Sequence, residues 1–216
     1  GQEPKLNDSQ WRGLDLPHDW SIEGEFKEDH PATPEGGALP GGLAWYRKTF
    51  TVPESHQRKL VFIDFDGVYR NSEVWIIGKH PGQRPYGYSS FRYELTPFLK
   101  YGDETNLLAV RVDNSRQPNS RWYSGSAIYR NVWLVATEKI FADHWGTFIT
   151  TPEVSKQTAR ISVKTKVRNA TQQDQPIKLK TTIYDARGRK VTAVAFDSVI
   201  AKNSVDEISQ QLVVKN

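Results

Sequence analysis

The side chains able to do chemistry here are oxygens, nitrogens and aromatic faces, because the 216-residue chain has no cysteine. That removes thiolate nucleophiles, disulfides and cysteine-ligated metals together. The five histidines, at positions 18, 30, 56, 80 and 144, form no pair at the helical or strand spacing that holds zinc, so no metal site is expected. Glycine is plentiful, yet neither the Walker pattern nor the dinucleotide fingerprint occurs, and no cofactor is expected. Gly87-Tyr88-Ser89-Ser90-Phe91 lacks the second glycine and the strand-to-helix setting of a nucleophile elbow. Asp64 and Asp66 share one face of a strand, the arrangement of an acid and base pair. The plainer reading is favoured: Asp66-Gly67 opens a turn and Asp64 pairs with a nearby arginine or a backbone amide. Asn7-Asp8-Ser9 and Asn169-Ala170-Thr171 match the glycosylation sequon, a pattern common by chance.

The seven tryptophans carry more information. Aromatic faces pack on the C–H surface of sugar rings, while Asp, Asn and Arg hydrogen-bond hydroxyls directionally. Trp75 and Trp133 fall in strands and read as packing residues. Trp20 and Trp122 fall in polar loops, where core packing and ligand contact both stand open.

The elements that must position these groups are β-strands. Apolar and polar residues alternate in many short runs bounded by Gly, Pro, Asn and Asp, and nothing long carries helical spacing. Strands are expected over 46–52, 59–65, 73–77, 106–112 and 132–136, each ending in turn chemistry such as Val52-Pro53 or Ile77-Gly78. Residues 31–42, rich in proline and glycine, read as a long surface loop. A second irregular stretch, 113–126, carries Arg116, Arg121, Trp122 and Tyr123, and loops with exposed aromatic and guanidinium groups are where function tends to sit.

After about Thr137 the aromatic-rich texture gives way to plain alternation, which places a boundary there: 1–137 and 138–216. In residues 161–168 one parity is apolar or Thr and the other polar, the mark of a strand with one wet face; Ile177, Leu179 and Ile183 continue the theme. Arg187-Gly188 reads as a hairpin turn. The spacing suggests an immunoglobulin-like sandwich, shorter than the roughly 100 residues of a complete one.

Composition narrows the class. Lys plus Arg at 29 against Asp plus Glu at 25 leaves +4, too thin for a nucleic-acid partner despite a pI near 9.2. No apolar run approaches the roughly 20 residues that cross a bilayer, and mean hydropathy is -0.64, so a soluble protein without a membrane partner is expected. The start, Gly1-Gln2-Glu3, has neither an initiator nor a secretory leader and reads as a processed or excised piece.

Several motifs in order carry a resemblance: Pro17-His18-Asp19-Trp20; Gly42-Leu43-Ala44-Trp45-Tyr46-Arg47-Lys48-Thr49-Phe50; Gly67-Val68 leading to Glu73-Val74-Trp75-Ile76; Tyr86-Gly87-Tyr88 with Phe91; Arg121-Trp122-Tyr123-Ser124-Gly125; and Ile128-Tyr129-Arg130-Asn131-Val132. Together they resemble the non-catalytic front end of family 2 glycoside hydrolases, in the β-galactosidase branch of gut-bacterial type. The resemblance covers roughly residues 10 to 140 by motif and the remainder by position.

It implies an all-β fold, with a galactose-binding-like jelly-roll sandwich followed by an incomplete immunoglobulin-like β-sandwich. In the family a (β/α)8 barrel that follows carries both catalytic glutamates, which cleave terminal β-glycosides with retention from about 5 Å apart. No βα alternation occurs here, so this chain is expected to hold no catalytic residue and to be inactive alone. The resemblance implies a terminal β-galactoside as ligand, the missing C-terminal barrel as partner, and a periplasmic or secreted location. Substrate contacts are expected from Asn119, Arg121, Trp122 and Tyr123, with Asp19 either touching sugar or clamping its own loop by taking backbone N–H groups. Arg130 is expected to brace the fold.

The loop before Trp122 departs from the better-known enteric enzymes, in which an acidic residue helps bind galactose and sodium; Asn119, Ser120 and Arg121 stand there instead, and no monovalent cation is expected. The chain's last residues, Leu212-Val213-Val214-Lys215-Asn216, stop before the family's Pro and Leu-Trp motif; the open apolar edge this implies favours a homo-oligomer. Two rival readings stand beside this one: a lectin-like module that binds carbohydrate without hydrolysis, and a structural adhesion module in which Arg121 and Trp122 are buried.

Overall fold

A computed structural model describes residues 1–32 and 34–215. The chain is all-β and divides into two compact units, Gly1–Ala136 and Thr137–Asn216.

The first unit is a jelly-roll sandwich of seven strands: β1 (Gly42–Phe50), β2 (Leu60–Phe65), β3 (Ser72–Ile76), β4 (Lys79–Arg84), β5 (Phe91–Glu94), β6 (Asn106–Asn114) and β7 (Val132–Thr137). One sheet runs β1-β6-β3-β4 and faces the other, β5-β2-β7. Period-2 alternation sorts the residues. On β3, Val74 and Ile76 enter the core while Glu73 and Trp75 face outward. Leu108, Val110 and Val112 of the central strand β6 meet Ile63 and Phe65 of β2 across the core. On the outer face of the larger sheet, Trp45 and Trp75 pack with ring centroids 5.1 Å apart, and Arg111 pairs with Glu73 and Asp113. Arg47, its side chain 5% exposed, binds Asp8 at 2.7 Å and the carbonyls of Gly1 and Glu3, fastening the first residues to β1.

The five expected strands are present, and β4 and β5 join them. Lys79-His80-Pro81-Gly82 shows no alternation, because β4 is a sheet edge, the place where a strand tolerates a proline. Of the expected loop over 31–42, Thr33 lies outside the described residues and Gly42 opens β1; the rest is turn-rich, with Ala32 and Leu39 buried rather than free at the surface.

The second unit holds β8 (Ile140–Val154), β9 (Thr158–Asn169), β10 (Gln175–Tyr184), β11 (Lys190–Ile200) and β12 (Ser204–Lys215), in sheets ordered β12-β9-β8 and β10-β11, an immunoglobulin-like sandwich. Val163, Thr165 and Val167 are buried, as the parity of that strand requires, and Val167, Ile200 and Ile208 form the core with Ile140, Ile177 and Leu179 against them. Gly188 takes φ +76° in the β10–β11 hairpin, where Asp185 accepts the amides of Arg187 and Arg189. β8 hides from pattern reading because its register with β9 breaks between Ala142 and Thr147, with Trp145 at φ +52° in the irregularity.

Candidate functional site

The site is built on the irregular segment 115–131 that connects β6 to β7. Its foundation is Asn114, the last residue of β6 and 2% exposed. Its Nδ2 donates to the Gly125 carbonyl and to Ser126 Oγ, both at 2.8 Å, and its Oδ1 accepts Asn119 Nδ2 at 2.7 Å. Asn119 continues the chain of bonds: its Oδ1 accepts the Tyr69 hydroxyl at 3.0 Å. A buried polar network of this kind holds a loop in one shape because each broken bond leaves a buried group unpaired.

A second anchor comes from far away in sequence. Asp19 Oδ1 accepts the backbone N–H of Ser21 at 2.9 Å and of Ser126 at 3.0 Å, and its Oδ2 accepts the Tyr123 hydroxyl at 2.5 Å. This is the clamp geometry, with every oxygen engaged inside the protein. Burial, and then the bond to the Asp19 carboxylate, pushes the Tyr123 phenol well above its ordinary range. Gly125 at φ +71° lets the loop pass this carboxylate, since a Cβ there would stand 2.6 Å from Asp19 Oδ2.

Arg121 and Trp122 are among the side chains that stand outside this network. Arg121 is exposed, and among the described residues no hydrogen bond or ion pair reaches it. Trp122 is 60% exposed, yet its ring is fixed, because Nε1 donates to the Tyr88 hydroxyl at 2.9 Å. Tyr88 packs against Tyr69 at 5.1 Å and Tyr86 at 5.7 Å, so Trp122, Tyr88 and Tyr86 form an exposed aromatic shelf, with Arg121 the residue before Trp122 in the chain. Burial raises the Tyr88 phenol, and the Trp122 indole N–H pulls the other way. Such a shelf can stack on the apolar face of a sugar ring while Arg121 donates to hydroxyls or a carboxylate.

The five sequence-predicted residues therefore lie together and divide by role: Arg121 and Trp122 are displayed, and Asp19, Asn119 and Tyr123 hold the loop. The depression beside Tyr123 and Gly125 offers only about 10 Å³, too little for a sugar ring. Sequence reasoning missed Asn114, Tyr69 and Ser126; Asn114 sits at a strand end with nothing in its neighbours to set it apart. Tyr86 and Tyr88 were visible as part of a motif but not as part of the site.

Elsewhere the plain readings hold. Asp64 makes a two-pronged bond to Arg92 at 2.6 and 2.7 Å, and Asp66 accepts the Trp133 indole N–H at 3.0 Å, which leaves no acid and base pair. Trp20 packs against the core and donates to the Gly41 carbonyl. Trp133 corrects an expectation: it is 53% exposed, on a strand that ends its sheet and on which Leu134 is exposed as well. Arg130 is also exposed, its stem lying beside Gly67. Among the described residues no cluster of His, Asp and Glu could hold a metal ion.

Known proteins resemble this chain in sequence and fold. The family model described as glycosyl hydrolases family 2, sugar binding domain, matches residues 30–138, and a second, glycosyl hydrolases family 2, matches 145–216. A β-galactosidase of Bacteroides ovatus is 49% identical over 213 residues, covering 99% of this chain and 25% of that protein. A putative β-glucuronidase of Formosa agariphila is 44% identical over 165 residues, 76% of this chain and 16% of that one. Among solved structures, a glycosyl hydrolase family 2 member from Bacteroides cellulosilyticus superposes with TM-score 0.96 at 34% identity, covering 100% of this chain and 28% of that one. A β-glycosidase from Bacteroides vulgatus gives 0.88 at 39% identity over 99% of this chain and 26% of that one. The chain spans about a quarter of the length of the first of these curated relatives.

Proposed function

The chain belongs to glycosyl hydrolase family 2, and from that premise we propose that it is the non-catalytic front end of a longer retaining β-galactosidase. In this reading the protein cleaves terminal β-galactosides with glutamates carried on a barrel outside these residues. The present chain supplies scaffold and one wall of the substrate pocket. Arg121 and Trp122 meet the sugar, the guanidinium donating to hydroxyls and the indole stacking on the ring. Asp19, Asn119 and Tyr123 keep both in place.

One observation carries the proposal: Arg121 and Trp122 stand exposed on a loop whose shape Asn119, Tyr123 and Asp19 hold by hydrogen bonds within the protein. An adhesion module in which both residues are buried does not fit that exposure. The galactoside reading draws on the Bacteroides ovatus relative, while the relatives named as β-glucuronidases make the competing substrate explicit.

The test is hydrolysis of chromogenic β-galactosides, β-glucuronides and β-mannosides by the 216-residue chain beside the same protein extended through its barrel. Cleavage of the galactoside by the extended protein only is the expected result. Preference for the glucuronide would move Arg121 to a carboxylate-reading role. Hydrolysis by the 216 residues alone would overturn the placement of catalysis. Sugar binding by those residues alone, without hydrolysis in either form, would favour the lectin-like module.

A further inference from the structure

Trp122 is 60% exposed, and an exposed indole on a loop turns about its side-chain bonds unless something holds it. Within its own loop the hold is on backbone, where Ser120 Oγ donates to the Trp122 carbonyl at 2.5 Å. The ring is held from a different stretch of chain, 34 residues earlier, by the Tyr88 hydroxyl that accepts its Nε1–H at 2.9 Å. Tyr88 lies in the connection between β4 and β5, residues 85–90, separate from the β6–β7 segment that carries Trp122.

That connection is itself fastened at several points. The Tyr129 hydroxyl donates to the Gly87 carbonyl at 2.8 Å, Ser90 Oγ donates to the Asp66 carbonyl at 3.0 Å, and Arg84 Nη2 donates to Ser89 Oγ at 2.6 Å. Gly87 runs so close to Tyr69 that a Cβ there would stand 2.2 Å from the ring. Tyr69 is 4% exposed, packs on Tyr88 with centroids 5.1 Å apart and gives its own hydroxyl to Asn119. A fixed acceptor therefore faces a side chain that would otherwise turn. Tyr88 and Trp122 are both exposed, so water replaces their bond when it breaks and stability hardly depends on it. What the bond does determine is the plane of the indole.

Resting on the reading of Trp122 as a wall of the substrate pocket, we propose that Tyr88 is a positioning residue, whose hydroxyl sets the plane of the Trp122 indole before the sugar arrives. A sugar ring stacks on an aromatic face in a defined orientation, and ordering a free ring at the moment of binding costs affinity. Tyr88 removes that cost in advance. A wall oriented in this way meets bound substrate and transition state alike, so loss of the hydroxyl raises KM and leaves kcat nearly unchanged.

The experiment uses the longer protein that contains these residues, labelled with 5-fluorotryptophan, the Trp122 fluorine signal being assigned by its loss in Trp122→Phe. Tyr88→Phe keeps the ring against Tyr69 and removes the hydroxyl alone. The Trp122 signal is expected to shift or broaden while the unfolding midpoint stays at the wild-type value. For the better cleaved of a chromogenic β-galactoside and β-glucuronide, KM is expected to rise about threefold at nearly constant kcat. In a Trp122→Phe background, which has no indole N–H, Tyr88→Phe is expected to leave KM where it was. An unmoved Trp122 signal would overturn the proposal. So would a moved signal with unchanged KM, or an equal rise in KM with and without the indole. Preference for the glucuronide would end the galactoside reading and leave this one standing. The fluorine signal does not depend on glycoside cleavage, so failure of the galactosidase reading and failure of this proposal are told apart.

Discussion

Each unit uses a buried asparagine at the end of a strand, and the two do different work. Asn114 closes β6 and ties down Asn119, Gly125 and Ser126, so that the loop it organises displays Arg121 and Trp122. Asn169 closes β9, is fully buried, reaches the carbonyls of Gln173 and Ile200 and accepts the Thr171 amide, and the turns it secures display no such pair. The second unit has strands of 10 to 15 residues joined by short turns around a small core. In the first unit strands of four to nine residues alternate with long irregular segments that are themselves partly buried. The same polar device thus serves recognition only where the chain it holds is long enough to carry other side chains outward.

The sharpest test of this contrast pairs Asn114→Ala with Asn169→Ala. Both should cost about 2 kcal/mol in denaturant unfolding, because each strands buried partners. Only Asn114→Ala should also lower glycoside turnover in the extended protein beyond what lost stability explains. Equal effects on turnover would end the comparison.

Trp122→Ala and Arg121→Ala should reverse that profile. Unfolding midpoints should stay within about 0.5 kcal/mol of wild type, since both side chains are exposed. The kcat/KM of the extended protein should fall about tenfold for each, equivalent to about 1.4 kcal/mol. A loss of stability without a loss of turnover would place both among packing residues.

Tyr123→Phe removes one clamp bond and should cost about 1 kcal/mol in unfolding, with a smaller effect on turnover than Trp122→Ala. Burial of this phenol, and then the same bond, give the smallest effect, a pH dependence. A phenol held above its ordinary value of 10.0 contributes its full stabilisation below that pH and loses it as pH climbs toward the folded value. Wild-type protein should therefore lose stability between about pH 10 and pH 11 more steeply than Tyr123→Phe, as read by unfolding midpoints against pH.

Much of this molecule was legible in the sequence. Alternation revealed β1, β2, β3, β6, β7 and β9, because a strand with a buried face writes its period into the residues. It failed at β4, whose edge position frees it from that demand, and at β8, whose broken register interrupts the period. The loop carrying Arg121 and Trp122 was visible from its composition. Its supports were not, since Asn114 and Tyr69 look like any strand-end asparagine and any tyrosine.

The sequence by itself determined the all-β class, the change of texture near Thr137, the absence of thiol chemistry and the family. All four are written in local pattern or in residue type. Only the tertiary structure decided that Asp19 is a clamp and that Arg121 and Trp122 are exposed while Asn119 and Tyr123 hold the loop. Each of those depends on which groups meet across gaps as long as 107 residues, from Asp19 to Ser126. Whether a polar side chain is spent inside the protein or left to act on a ligand is settled by its partners, and local sequence does not name them.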